Sequence, residues 1–338
     1  MIYYKKVGDL MAKRYNENIF FRSLDGVAYG IFCSEVIGYF VVWISQLLRY
    51  PQLTAWGNMI TGLSGCAVGI GVAYTTGARG LALLCSALAG SICQGSGVSW
   101  VICAYLAIMI SASVGDFLRN KTPLDIFITP TITIIIACMI TTFVSPYLNN
   151  VVSWIVVQLI NASATSPLFM GMCVAMLMSL ISVTPLSLLG VCALANIGGL
   201  SAGATLAGTC GTMLGLAIMS VEDNDLGDVI AIGIGSPILQ LKNCIKNPLV
   251  LIPILLSAMV TGALSTTLFH LSTTQIGASK GCLMFEGPLS VINYMGFQAW
   301  VGMLICDVML PILICYSGYH TLKRLGWIKS GDLKINRF

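Results

Sequence analysis

Charge is what this sequence has least of: 17 Lys and Arg plus 13 Asp and Glu make up only 9% of 338 residues. Soluble domains carry roughly 25% charged residues. So few charges cannot cover a water-facing surface, so most of the surface faces lipid or other helices. Histidine is almost absent. His270 and His320 lie in different segments with no ligand spacing, and both read as capping or interfacial groups. Thirteen cysteines contain no CxxC pair, which excludes the usual disulfide and zinc frameworks and leaves them as small packing residues. There is no Gly-x-x-x-x-Gly-Lys loop, which argues against a P-loop ATPase. No Ser/His/Asp or Cys/His arrangement stands out, and no metal or cofactor is expected. The net charge of +4 comes mainly from the termini and gives no reason to invoke nucleic acid.

What is there is apolar: 57% of residues are hydrophobic, 35 are glycine, and the mean hydropathy is +0.89. The expected fold class is an all-α polytopic membrane protein of about ten transmembrane helices, with the bilayer as its solvent. Apolar runs place helices near 27–48, 56–74, 78–92, 100–114, 124–148, 151–161, 167–183, 185–207, 212–221, 229–239, 248–271 and 299–316. The runs at 151–161, 229–239 and 78–92 are short, and read as half-helices or re-entrant pieces. Residues 1–24 form a charged, aromatic lead-in with no signal-peptidase pattern, 25–320 the membrane domain, and 321–338 a basic tail. Basic residues cluster at the N-terminus, at Arg119 and Lys121, at Lys242 and Lys246, and in the tail. The positive-inside rule makes all four cytoplasmic and the number of spans even.

The chain also echoes itself. Lys121-Thr-Pro123-Leu returns as Lys246-Asn-Pro248-Leu, Gly62-Leu-Ser64 as Gly199-Leu-Ser201, and Pro51 as Pro185, at offsets of 125, 137 and 134 residues. Three echoes in order point to a duplicated architecture with halves near 25–150 and 151–318, as in secondary transporters. The positions of the basic loops oppose the inverted arrangement that five spans per half would give.

In a membrane the polar groups are the informative ones, because each is costly unless paired or solvated. Glu35 and Asp307 are acids within apolar runs. Ser236, Gln240 and Asn243 follow a Gly-Ile-Gly-Ser-Pro break at helical spacing, and neutral hydroxyl and amide groups on one face suit an uncharged polyhydroxylated ligand. Glu286 sits in a second polar, glycine-containing break between Gly277 and Pro288. Asn196 lies in a third, after Thr184-Pro-Leu-Ser187. Ser236, Gln240, Asn243, Glu286, Asp307 and Asn196 are therefore the candidate substrate contacts, each with a packing or surface-loop alternative. No catalytic residue is assigned. The acidic patch Glu222, Asp223, Asp225 and Asp228 departs from an EF-hand loop and reads as solvated.

Two stretches together carry a resemblance: Asn120-Lys-Thr-Pro-Leu-Asp-Ile-Phe-Ile-Thr-Pro130, and Gly235-Ser-Pro-Ile-Leu-Gln240 running on to Lys246-Asn-Pro-Leu-Val-Leu-Ile-Pro253. They resemble the second-type membrane IIC permease family of the bacterial sugar phosphotransferase system, which includes perfringolysin-regulator-like proteins. The resemblance covers about residues 25–325. It implies a homodimeric permease in the bacterial inner membrane that passes a carbohydrate to IIA and IIB partners. Their phosphohistidine or phosphocysteine would phosphorylate it, and in this case they would be separate chains. The 280–288 stretch is less glycine-rich than expected of the family's late re-entrant loop. A transport-deficient sensor or regulator, or an ion-coupled transporter using Glu35 and Asp307, remains as an alternative.

Overall fold

The computed structural model describes residues 18–119, 121, 123–163 and 166–335, with the side chains of 159–163 outside the description. Most of the lead-in at 1–24 and parts of the Asn120–Thr122 motif fall outside these residues.

The described residues are helical throughout, with one isolated antiparallel bridge between Gly199 and Thr273. Six helices are long and apolar enough to cross a membrane: α1 (Ile19–Leu48), α5 (Trp100–Leu118), α6 (Asp125–Gln158 within Asp125–Ser163), α9 (Leu200–Met219), α12 (Pro248–Thr267) and α15 (Phe297–Arg324). A seventh span arises if α2 (Pro51–Gly62) and α3 (Ser64–Thr76), bent by 45° between them, count as one. Shorter apolar helices are α4 (Leu81–Gln94), α7 (Pro167–Val183) and α10 (Leu226–Gly235). The remaining segments are α8 (Leu188–Leu194), α11 (Leu241–Lys246), α13 (Gln275–Lys280) and α14 (Glu286–Met295).

Three boundaries differ from the apolar-run reading. The runs at 124–148 and 151–161 are one helix, α6, of 39 residues and ~58 Å. The Asn149–Asn150 pair does not break it, because the Asn149 side chain bonds sideways to Ser96 and Ser99 rather than to its own backbone. The run at 185–207 is two helices, because Asn196 (φ +47°) and Gly199 (φ +60°) turn the chain between α8 and α9. The run at 212–221 is the second half of α9.

Helix packing follows the small residues. A Cβ on Gly65 would lie 2.5 Å from the Gly90 carbonyl oxygen, and one on Gly69 would lie 2.1 Å from that of Ser86. The Gly-x-x-x-Gly stripe of α3 thus lets α4 approach to backbone contact. Gly171 and Gly262 do the same for α7 and α12. The first group, α1 with α3 to α6, packs mainly on itself, and α7, α9, α12 and α15 form the second.

The basic segments gather at one end of the molecule. Arg22 donates to the Thr75 carbonyl, Lys242 pairs with Asp25 at 2.7 Å, and Lys246 lies over the Phe21 ring. Arg79 and Arg119 share a small recess with Asp125. Lys323 pairs with Glu222 there, and holds that carboxyl below the usual carboxylate range. The Lys121 and Lys246 motifs therefore start α6 and α12 at the same end.

Candidate functional site

Several helices are interrupted partway across, and the interruptions meet. From the basic end, α10 runs inward, turns at Ser236-Pro237 and returns through a 3-10 turn (Pro237–Gln240) and α11. From the opposite end α13 runs inward, turns through Gly281 and Leu283–Phe285, and returns as α14. The tips of these two opposed re-entrant hairpins touch. Met284 (φ +45°) and Phe285 (φ +60°) are consecutive non-glycine residues in the left-handed region at the second tip, a strained turn of the kind found at functional sites. The α2/α3 bend, the α4–α5 connection and the α7–α8 connection close the ring around them.

These breaks enclose a cavity of about 600 Å³, within the size range of small-molecule sites. Its polar wall is almost wholly neutral: Asn58, Thr61, Ser64, Gln94, Ser182, Thr184, Ser187, Thr209, Ser236 and Ser279. Most of these hydroxyls already donate to their own helix. Thr61 donates to Asn58 O, Ser182 to Ser179 O, Thr184 to Ile181 O, Thr209 to Thr205 O and Ser279 to Ile276 O, at 2.7–3.0 Å. The Gln94 amide is occupied too, donating to Ser64 Oγ and accepting from Gly65 N. These five hydroxyls therefore offer a ligand lone pairs, while those of Ser64, Ser187 and Ser236, which accept from N–H groups, keep their protons for donation.

The charged groups form one cluster on this wall. Glu35 sits in a π-helical turn (Phe32–Val36) within α1 and faces the cavity, with no hydrogen-bond partner among the described residues. Such turns widen a helix locally and concentrate at functional sites. Lys280 reaches the cavity from α13, pairs with Glu286, and lies 5.4 Å over the Tyr39 ring.

The family comparison now bears on this geometry. A family model described as the phosphotransferase system EIIC matches residues 21–335, nearly the whole chain. The chain belongs to the EIIC family. It is a multi-pass, IIC-type membrane component of the phosphotransferase system. No curated protein and no solved structure matches the chain.

The sequence-derived candidates of this EIIC chain separate into four places. Ser236 lines the cavity and caps the Pro237 turn, and Glu286 stands just behind it through Lys280. Gln240 and Asn243 point the other way, to the tail: Gln240 Nε2 donates to Leu333 O at 2.8 Å, and Asn243 Nδ2 to Gln240 Oε1 and Lys334 O. Asn196 is exposed in the α8–α9 turn, where its Oδ1 accepts from Gln275. Asp307 is fully buried in a π-helical turn of α15 (Leu304–Met309), is not among the residues lining the cavity, and neither carboxyl oxygen has a hydrogen-bond partner among the described residues. Tyr39, Gln94, Thr209 and Lys280 line the site without having been singled out. Thr209 sits in a run of small residues and Gln94 ends an apolar helix, so neither carries a local signal.

Proposed function

We propose that this chain moves a carbohydrate through the cavity and presents it to a phosphodonor protein at its basic end. The observation that carries the reading is the acceptor-rich, nearly neutral wall where two opposed hairpins meet. A sugar is a dense array of hydroxyl donors, and it satisfies lone pairs that an apolar or anionic ligand would leave unmet. Alternating access follows if one helix group moves against the other around the hairpin tips.

In the reaction, a sugar hydroxyl oxygen forms a new bond to phosphorus as the P–N or P–S bond to the partner's histidine or cysteine breaks. The hydroxyl proton passes to a carboxylate or to water. Glu35, which lines the cavity, is the carboxylate that would orient that hydroxyl, whereas Glu286, held behind the wall by Lys280, and Asp307 are not among the lining residues. The phosphodonor is a IIB-type protein charged by a IIA-type protein. The basic end is cytoplasmic by the positive-inside rule, in a bacterial inner membrane. The long exposed apolar flank of α6, with Ile126, Phe127, Phe143 and Trp154, suits lipid or the second copy of a homodimer.

The test is phosphoenolpyruvate-dependent phosphorylation of labelled sugars by membrane vesicles containing this chain, supplemented with cytosol from the same organism. Labelled sugar phosphate should form only when the chain is present. Uptake driven by a proton gradient without any phosphodonor would contradict the reading.

A further inference from the structure

Resting on that reading, we propose that the cavity tells substrate from product by charge, with Glu35 as the selector that admits the neutral sugar and rejects its phosphate ester. The chemistry of the pair demands such a device. Substrate and product share every hydroxyl but one, so shape and hydrogen bonding to the sugar ring cannot separate them. They differ by a phosphoryl group with nearly two negative charges at neutral pH.

Two independent features of the wall act on that difference. First, the charge count of the cluster is negative. Among the described residues, Lys280 is the one cationic group lining the cavity, and Glu286 pairs with it. Its remaining face is turned over the Tyr39 ring. Glu35 has no counter-ion among the described residues, and in a confined, partly dehydrated space the field of its carboxylate form reaches across the cavity. Secondly, the hydroxyls of Thr61, Ser182, Thr184, Thr209 and Ser279 donate to their own helices and turn lone pairs inward. Phosphate oxygens are only acceptors and cannot bond to the lone pairs of these five hydroxyls, whereas sugar hydroxyls can donate to them.

The consequence is directional. Once the O–P bond forms, the product is destabilised where it was made, and it leaves toward the end where Arg22, Arg79, Arg119, Lys242 and Lys246 cluster. Glu35 is here a specificity-determining residue, separate from any role in orienting the reacting hydroxyl.

The experiment uses the purified full chain in detergent. A panel of hexoses, hexitols and disaccharides is screened by thermal shift, each beside its monophosphate ester, and dissociation constants are measured for the stabilising pair. The wild type should bind the sugar at least tenfold more tightly than its phosphate. Glu35→Gln should narrow that ratio at least tenfold by gaining affinity for the phosphate. Glu286→Gln, which frees the Lys280 ammonium, should narrow it in the same direction, and it serves if the Glu35 variant does not fold. A sugar that binds no better than its phosphate overturns the inference alone, as does a ratio unchanged in both variants. If no sugar stabilises the protein, the sugar-permease reading fails and the inference with it.

Discussion

Lys242 shows how single residues hold this molecule together. Its side chain is only 4% exposed and its ammonium lies 2.7 Å from Asp25 on α1, so the re-entrant α11 is tied to the first helix by a buried ion pair. Breaking such a pair from one side strands a charge in a medium that solvates it poorly. Asp25→Asn should therefore lower unfolding stability by about 3 kcal/mol, and Asp25→Asn with Lys242→Met should recover most of that loss. Chemical denaturation in detergent micelles measures both. A single variant as stable as the wild type would show that the pair is not holding the helices. The partner choice was not legible in the sequence, where Asp25 and Lys242 stand 217 residues apart. Glu35 was legible as an acid within an apolar run. That it lacks a partner among the described residues was not, because pairing depends on which helices surround it.

Among the elements, the two re-entrant hairpins decide the site, and their breaks were readable. Gly-Ile-Gly-Ser-Pro ends α10 because glycine weakens a helix and proline restricts the residue before it, and the Gly277–Pro288 stretch is too polar to cross lipid unprotected. The direction of the side chains was the part that failed to show. Helical spacing put Ser236, Gln240 and Asn243 on one face, but the 3-10 turn at Pro237–Gln240 rotates that face. Ser236 is left in the cavity while the two amides meet the tail. The tail is held from both sides, since Asn224 Nδ2 and Gln240 Nε2 both donate to Leu333 O at 2.8 Å, and Asp223 accepts from Gly331 N and Leu333 N. It clamps the base of the hairpin whose tip lines the cavity. Truncation before Trp327 should cost about 4 kcal/mol from these four lost hydrogen bonds alone, since each contributes about 1 kcal/mol net. It should also speed hydrogen exchange in residues 236–246. Exchange there at the wild-type rate would show that the tail does not brace the hairpin.

As a whole molecule, the chain is a set of apolar helices whose interruptions converge at one level. Composition alone established the membrane class, and the glycine and proline breaks suggested where the interior is wet. The long α6 was hidden, because the Asn149–Asn150 pair looks like a stop when the sideways partners of Asn149 are unknown. Convergence itself could not be read, since it depends on α10 and α13 entering from opposite ends.

The central claim is that the meeting point of the breaks is where the sugar binds, and blocking it is the most direct measurement. Ser279→Trp and Thr61→Trp each place an indole into the cavity from a different wall without removing a core side chain. The sugar that stabilises the wild type in a thermal-shift titration should no longer stabilise either variant, whose ligand-free midpoints should stay within about 2 °C of the wild type. Undiminished stabilisation by that sugar in both variants would place its binding site elsewhere and contradict the account.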